Sequence, residues 1–170
     1  LWYPDETIQH AGIVTGLGGY AGHSHKYKKK SGSGYMFRAA TVQDFSGVTG
    51  ACLLVKTAVY DEMHGLDEQF AVAFNDVDFC LRVRDAGYRI AWTPYAELIH
   101  YESKSRGGDE KDPVKAARFA AEQQRLYTIH GKENILDDPY YNPNLTRDRE
   151  DFSESDAVSY THLRAHETGA

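Results

Sequence analysis

Residues 74–89 read Phe-Asn-Asp-Val-Asp-Phe-Cys-Leu-Arg-Val-Arg-Asp-Ala-Gly-Tyr-Arg and carry the clearest helix signal in the chain. Apolar side chains, among them Val77 and Leu81, recur at the spacing of an amphipathic helix. Gly87 supplies a stop, because glycine readily takes the left-handed conformation that ends many helices. The pattern predicts a helix from Asp76 to Ala86.

Two carboxylates near the start of this helix are expected to have different roles. Side chains two positions apart on a helix point in nearly opposite directions, so Asp76 and Asp78 do not serve one site. Asp78 stands four residues before Arg82, the spacing of an intrahelical ion pair. Asp76, next to Asn75, then faces the loop before the helix. It is either an ordinary first-turn carboxylate favoured by the helix dipole or a general base that takes a proton from a hydroxyl group.

Composition limits the classes of function. The 170 residues suffice for one domain, and the net charge of −6 argues against nucleic acid as the main partner. The basic cluster Lys26 and 28–30 is either a solvated loop or a contact for an anionic membrane or a lipid-linked phosphate. No apolar run has the length of a membrane span, so any membrane contact is expected to be peripheral.

Cys52 and Cys80 lie in apolar surroundings and are expected to be small, buried side chains in a reducing compartment.

Further elements are predicted from local pattern and from turn residues. The predicted elements are a hairpin of Leu1–Tyr3 with Ile8–Val14, an irregular loop over 15–46, strands over 48–55, 89–93 and 97–100, and helices over 57–63 and 113–130. Asp112 as cap, Pro113 in the first turn and Gly131 after the end give the last helix well-defined bounds.

A second group of functional candidates begins at His100, where a predicted strand ends. This histidine is either structural or a neutral imidazole that joins carboxylates around Mn²⁺ or Mg²⁺. Arg106, in the Gly-containing loop that follows, could hold phosphate oxygens, or it is a plain surface residue. His23 and His25 have a spacing compatible with a metal pair, but no third ligand lies near them in sequence.

Six segments, taken in order, resemble the signature of family 2 glycosyltransferases, in particular the bacterial rhamnosyltransferase-like members that build surface polysaccharides. The segments are 48–54, 65–70, 75–82, 86–89, 100–107 and 138–145. The resemblance covers the chain from Leu1 to about Phe152. It implies an α/β chain, the acceptor-side, C-terminal part of a GT-A-type, Rossmann-like domain. It also implies transfer with inversion from a nucleotide-diphosphate sugar to a glycan or lipid-linked acceptor, with Mn²⁺ or Mg²⁺.

The resemblance also implies roles for single residues. Asp76 matches the catalytic base of the family, and Asn75 stands where most members have an acidic residue. His100 matches a histidine implicated in metal or diphosphate binding, and many members have a second histidine where this chain has Tyr101.

Five residues are candidates for substrate binding, namely Thr49, Gly50, Asn75, Trp92 and Arg106. Thr49 and Gly50 match the stretch that lines the floor of the acceptor pocket, or they are plain strand and turn residues. Trp92 is either a platform for a sugar face or a core residue. Arg106 is a candidate for contact with the diphosphate.

The resemblance leads to an expectation about domain organisation. Residues 1–156 are expected to form a partial glycosyltransferase domain, and residues 157–170 a non-native or disordered tail. The nucleotide-binding strands and the Asp-any-Asp metal motif of the family would lie upstream, so this chain alone is expected to be inactive. The full protein is expected in the cytoplasm or at the cytoplasmic face of the membrane.

Two other classes of function compete with this interpretation. One is a non-catalytic carbohydrate-binding or scaffold domain that keeps the acceptor surface. The other is a metal-dependent hydrolase that uses His23, His25 and His100, which would bind metal tightly without a nucleotide.

Overall fold

A computed structural model describes residues 1–101 and 112–155. The described chain contains short strands and helices without regular alternation: β1 Ile13–Thr15, β2 Ala21–His23, β3 Gln43–Asp44, α1 Thr57–Glu62, α2 Asn75–Asp85, β4 Ala91–Trp92, α3 Pro113–His130 and α4 Lys132–Leu136. Single 3₁₀ turns lie at Leu17–Gly19, Tyr35–Phe37 and Gly50–Cys52. The mixture agrees with the expected α/β class.

Helices α1, α2 and α3 begin and end within one residue of the predicted bounds, whereas α4 is a helix that the sequence did not predict. The Asn75 side chain accepts the Asp76 N–H at 2.7 Å, and Gly87 follows the helix with a φ of 86°. At the start of α3 the Asp112 side chain accepts the Val114 N–H at 2.9 Å, which satisfies one of the free amide groups of the first turn. The predicted bounds of α3 are confirmed. None of the helices in the described ranges is long and apolar enough to cross a membrane.

The strands are shorter than predicted. Within the described residues they form two antiparallel pairs, β1 with β2 and β3 with β4. A parallel nucleotide-binding sheet is not among these residues. Leu1–Tyr3 does turn back on Ile8, and a β-bridge joins Trp2 to Ile8. On the other side of Trp2, its N–H donates to the Leu98 carbonyl and its carbonyl accepts the His100 N–H. The predicted strand at 97–100 is thus reduced to one parallel bridge, between Trp2 and Ile99.

The prediction of a strand over 48–55 is wrong. Gly50–Cys52 is a 3₁₀ turn, and the Thr49 side chain caps it by accepting the Ala51 N–H at 3.3 Å. The Gly50 N–H donates to a side chain of α2 and not to a neighbouring strand. The turn carries Cys52 to the surface, so the expectation of a buried thiol holds for Cys80 only.

Helix α2 is packed on two sides. One apolar cluster joins its Val77 and Leu81 to α3 and α4, and a second joins its Phe79, Cys80 and Val83 to α1 and the start of β4. Burial of such side chains stabilises a fold by about 1.5–3 kcal/mol each. Because both long sides of α2 are covered, the direction in which its first turn points is fixed.

The C-terminal segment of the described chain is attached to β1 through Asp138. This buried carboxylate accepts the N–H of Thr15 at 2.7 Å and the N–H of Tyr140 at 2.7 Å. Tyr141 and Leu145 then pack into a third cluster, with Val14 among its members. The segment 138–145, part of the family resemblance, thus packs against β1.

Candidate functional site

The carboxylate of Asp76 lies at the mouth of α2, against the turn that follows Thr49. Its Oδ2 accepts the Gly50 N–H at 2.9 Å, and its Oδ1 accepts the Val77 N–H at 2.9 Å. The side chain is half-buried. No lysine or arginine within residues 1–101 and 112–155 pairs with it. The structure thus brings together Asn75, Asp76, Thr49 and Gly50, four of the residues that the sequence singled out.

The residue before α2 has an unusual backbone. Phe74 has a φ of 64°, in the left-handed region that non-glycine residues rarely take. Its buried ring holds it there, with ring centroids 5.5 Å from Tyr20 and 5.1 Å from Phe119. Strained conformations of this kind persist where surrounding packing enforces them, and they are frequent at functional sites. Here the strained residue sets the angle at which the chain enters the helix and presents Asp76.

Asp78 has entirely different surroundings. Its side chain is 1% exposed; Nε and Nη2 of Arg82 donate to its Oδ2 at 2.9 and 2.8 Å, and Nε2 of His130 lies 2.8 Å from its Oδ1. Burial raises the pKa of Asp78, but the bonds from His130 and Arg82 outweigh burial and hold the pKa below its usual value. Asp78 therefore links α2 to α3, and the expected ion pair with Arg82 is confirmed.

A histidine that the sequence analysis did not single out supports the turn at Thr49. His10 is buried, and its Nε2 accepts the N–H groups of Gly12 at 3.3 Å and Thr49 at 3.4 Å. Its Nδ1 lies 2.9 Å from Nδ1 of His23. Burial, and then the neighbouring His23, lower the pKa of His10 well below 6.5, so the ring is neutral. Because Nε2 accepts, we assign the proton to Nδ1.

His100 lies at the other end of the same series of contacts. Its half-buried ring places Nδ1 2.8 Å from Nε2 and 3.0 Å from Oε1 of the Gln9 amide. Gln9 precedes His10, which contacts Thr49, and Thr49 precedes the residue bonded to Asp76. A continuous path of neighbours therefore joins the two principal candidates.

The described residues do not by themselves form a metal site. No group of three or more His, Cys, Asp or Glu side chains within 1–101 and 112–155 could hold an ion. His23 contacts His10, whereas His25 bonds Ser24 through Nδ1 and accepts the Tyr35 N–H through Nε2. The histidine trio of the hydrolase hypothesis is therefore not assembled, and His100 offers one ligand at most.

Two cavities lie next to the site. The larger, of about 530 Å³, is mainly apolar and is bounded by 52–56 and by one side of α2. The smaller, of about 310 Å³, lies between the N-terminal turn and residues 92–97. Trp92 and His10 line both cavities. Trp92 is half-buried, with its ring edge-to-face to Phe45 at 6.2 Å, so it has both a core contact and an open side.

Two sequence predictions fall outside the described residues. Arg106, the candidate for a diphosphate contact, belongs to the range 102–111. The expected tail, 157–170, also lies outside. The structure therefore assembles the candidate base with Thr49, Gly50 and Asn75, and connects them to His100 through His10 and Gln9.

Comparison with known proteins identifies relatives of the chain. It is 49% identical over 153 residues to the uncharacterized protein y4gI of Sinorhizobium fredii, and 33% identical over 147 residues to the O-antigen biosynthesis protein RfbC of Myxococcus xanthus. Over 80 residues, 47% of the chain, it is 32% identical to the N-acetylglucosaminyl-diphospho-decaprenol L-rhamnosyltransferase of Mycobacterium tuberculosis.

These similarities cover most of this chain but little of the relatives. The first two matches span 89% and 86% of the chain, yet only 17% and 11% of those proteins, and the third spans 24% of the rhamnosyltransferase. No protein-family model and no solved structure matches the chain. The chain thus corresponds to a small part of larger proteins, and its relatives include a glycosyltransferase.

Proposed function

We propose that the longer protein to which this chain corresponds is an inverting glycosyltransferase of family 2. It transfers a sugar from a nucleotide-diphosphate sugar to a hydroxyl group of a glycan or lipid-linked acceptor. Asp76 is the catalytic base. The names of the relatives in O-antigen biosynthesis and rhamnosyl transfer support sugar transfer, and the geometry at the mouth of α2 supports this choice of base.

The proposed step needs one proton acceptor. A carboxylate oxygen of Asp76 removes the proton of the acceptor hydroxyl while the hydroxyl oxygen forms a bond to the anomeric carbon of the donor. The bond from that carbon to the diphosphate breaks on the opposite face and its electron pair leaves with the diphosphate, so the configuration inverts. A base of this kind must be ionised and held within hydrogen-bond reach of the hydroxyl.

The single observation that carries the proposal is the way in which Asp76 is held. Two backbone N–H groups, of Gly50 and Val77, fix the carboxylate, and both donors are neutral. Each carboxylate oxygen can accept more than one hydrogen bond, so capacity remains for an acceptor hydroxyl. Asp78, two residues later, lacks this freedom because its side chain is buried and is enclosed by its partners Arg82 and His130.

The other substrate contacts belong to the same proposal. Thr49, Gly50 and Asn75 form the wall beside the base and would contact the acceptor, with Trp92 further along. His100 and Arg106 would face the diphosphate, and His100 would give one ligand to Mn²⁺ or Mg²⁺, the rest coming from residues outside the described ranges. When bound, the cation neutralises the departing diphosphate.

The donor-binding part of a GT-A fold is proposed to lie elsewhere in the longer protein, since the chain corresponds to 11–24% of its three relatives. Transfer would then take place in the cytoplasm, at the cytoplasmic face of the membrane when the acceptor is lipid-linked. The 170-residue chain alone is expected to show no transfer, and activity of this chain would contradict that expectation.

Asp76→Asn in the longer protein tests the base. Without a proton acceptor, kcat should fall about 10²- to 10⁴-fold, while the affinity for the nucleotide sugar stays within twofold, or about 0.4 kcal/mol. Asp85→Asn is the matched control, because it makes the same change at the exposed far end of α2.

Turnover by Asp76→Asn at the parental rate would exclude Asp76 as the base. Absence of transfer by the unmodified longer protein, with glycan binding retained, would favour the non-catalytic carbohydrate-binding alternative.

A further inference from the structure

The smaller cavity has the composition of a sugar-binding site. We call it the aromatic cleft; Trp2, Trp92 and Tyr95 lie in its walls, and Lys30 and Glu97 on its rim. We propose that the aromatic cleft binds a pyranose ring of the acceptor saccharide. The assignment to the acceptor rests on the proposed function, whereas the binding of a saccharide rests on the cleft itself.

Aromatic side chains are concentrated in this cleft. The chain has two tryptophans, and both line it. Tyr95 is 83% exposed, although a large aromatic side chain gains free energy when it is covered. The flat face of an aromatic ring fits the apolar C–H face of a pyranose, and the polar tip of Tyr or Trp can bond a hydroxyl group. The concave shape distinguishes this group from aromatics scattered over a surface.

The cleft is preformed. The Trp2 N–H donates to the Leu98 carbonyl at 2.9 Å, and the Trp2 carbonyl accepts the His100 N–H at 3.0 Å. Trp2 is therefore held in place from both directions along its backbone. The ammonium group of Lys30 lies 4.9 Å from the centre of the Trp2 ring and pairs with Glu97 across the rim. Rigid walls reduce the entropy lost on binding, and the charged pair offers both donors and acceptors to sugar hydroxyls.

The position of the cleft connects it to the candidate base. His10 lines the cleft, and the same ring accepts the N–H of Thr49, the neighbour of the residue bonded to Asp76. Trp92 lies in the cleft and also in the larger cavity beside α2. The aromatic cleft is therefore connected through His10 to the turn that bonds Asp76, although Asp76 itself lines neither cavity.

Tryptophan fluorescence tests the proposal directly, because both tryptophans of the chain report on the cleft. The 170-residue chain is titrated with methyl α-L-rhamnopyranoside and with methyl N-acetyl-β-D-glucosaminide, two sugars taken from the name of one relative. Sorbitol is the control ligand, since it has hydroxyl groups but no ring face. We expect a saturable change with at least one pyranoside and none with sorbitol.

Tyr95→Ala supplies the matching variant, because an exposed side chain can be removed without unfolding the protein. It should weaken pyranoside binding about 3- to 10-fold, the effect of one aromatic contact. Phe37→Ala, at an aromatic residue that is 66% exposed and outside the cleft, should leave binding within twofold, or about 0.4 kcal/mol. Absence of a saturable change, equal weakening by both variants, or binding to anionic vesicles in place of pyranosides would overturn the proposal.

The longer protein separates this inference from the proposed function. Tyr95→Ala should there raise KM for the acceptor and leave KM for the nucleotide sugar unchanged. Pyranoside binding without any transfer would refute the transferase proposal and leave the cleft assignment intact. Transfer with an unchanged acceptor KM in Tyr95→Ala would refute the cleft assignment alone.

Discussion

Two regions of the molecule differ in how many polar side chains they bury beside their apolar ones. The loop region, residues 8–50, buries polar side chains, among them Gln9, His10, Thr15, Ser24, His25 and Ser46. The helical region, 57–85 with 113–136, is held mainly by apolar packing around α2, with Asp78 and Glu122 as its buried acidic side chains. A buried polar group costs free energy unless it is bonded, so the loop region depends on each bond being made.

The candidate site lies where these regions meet. Asp76 comes from the helical region and Gly50 from the end of the loop region. Apolar packing of α2 fixes the position of the Asp76 backbone. Hydrogen bonds of the loop region fix the turn at Thr49, which the Asp76 side chain contacts through Gly50. Removal of a buried group should therefore lower the free energy of unfolding most in the helical region, whereas in the loop region it should change the pH dependence between pH 6.5 and about 4 and the local opening of the backbone.

The largest expected effect is a loss of stability in the helical region. Asp78→Ala removes the partner of Arg82 and His130 and should lower the free energy of unfolding by about 3–5 kcal/mol, because the partly buried guanidinium of Arg82 loses its counterion and the ring of His130 loses its hydrogen-bond partner. Urea unfolding at pH 7 measures the change. Asp85→Ala on the same helix is exposed and should stay within about 0.5 kcal/mol of the parent.

The loss of stability caused by Asp78→Ala should depend on pH. The pKa of Asp78 is below its usual value in the fold, so its contribution is present above about pH 4, the unfolded pKa, and is lost as pH falls through the folded pKa. The difference between Asp78→Ala and the parent should therefore shrink in strong acid. A constant difference, or equal effects of the two alanine variants, would contradict the role assigned to Asp78.

The next effect concerns the loop region. Burial, with the nearby charges of Lys28 and Arg38, lowers the pKa of His25 from 6.5 to about 4. The unfolded chain takes up a proton below pH 6.5 and the folded chain does not, so stability falls as pH decreases from 6.5 towards 4. The loss attributable to His25 is about 3 kcal/mol.

His25→Asn should flatten this pH dependence. The measurement is the free energy of unfolding between pH 7.5 and pH 4, on the order of the pH range over which the ring titrates. Asparagine tolerates the φ of 60° at this position. His64→Asn is the control, because His64 has a φ of 57° and is exposed. An unchanged pH profile in His25→Asn would show that this imidazole is not kept neutral by burial.

The smallest effect is at the boundary between the regions. His10→Leu removes the acceptor of the Thr49 N–H and should speed exchange of that amide with solvent about 5- to 10-fold, the value of one modest hydrogen bond. His10→Gln can place an amide oxygen near the position of Nε2 and should restore most of the protection. Amide exchange followed by NMR distinguishes them, and equal exchange in both variants would mean that His10 only fills space.

The sequence predicted the parts of the fold that depend on neighbours along the chain. Asp112, Pro113 and Gly131 define α3 because caps and stops act within one turn. The strand expected at 48–55 failed because the partner of the Gly50 N–H, Asp76, is 26 residues away and a local apolar pattern does not show it.

At the candidate site, the sequence predicted the residues around Asp76 but not His10, which supports the turn at Thr49. Thr49, Gly50 and Asp76 were singled out in advance and the structure brings them together. His10 was missed because its role depends on contacts with two loop amides and with His23, and a single histidine in an apolar run carries no local signal of such contacts.

The exposed thiol of Cys52 gives access to this region for chemical labelling. Burial raises the pKa of Cys80 to about 12, and a thiol must ionise to react, so a maleimide or iodoacetamide will modify Cys52 alone. Cys52 ends the turn whose first amide bonds Asp76, and it lines the larger cavity. A single environment-sensitive dye attached there, with no engineered cysteine, would report occupancy of the larger cavity in real time.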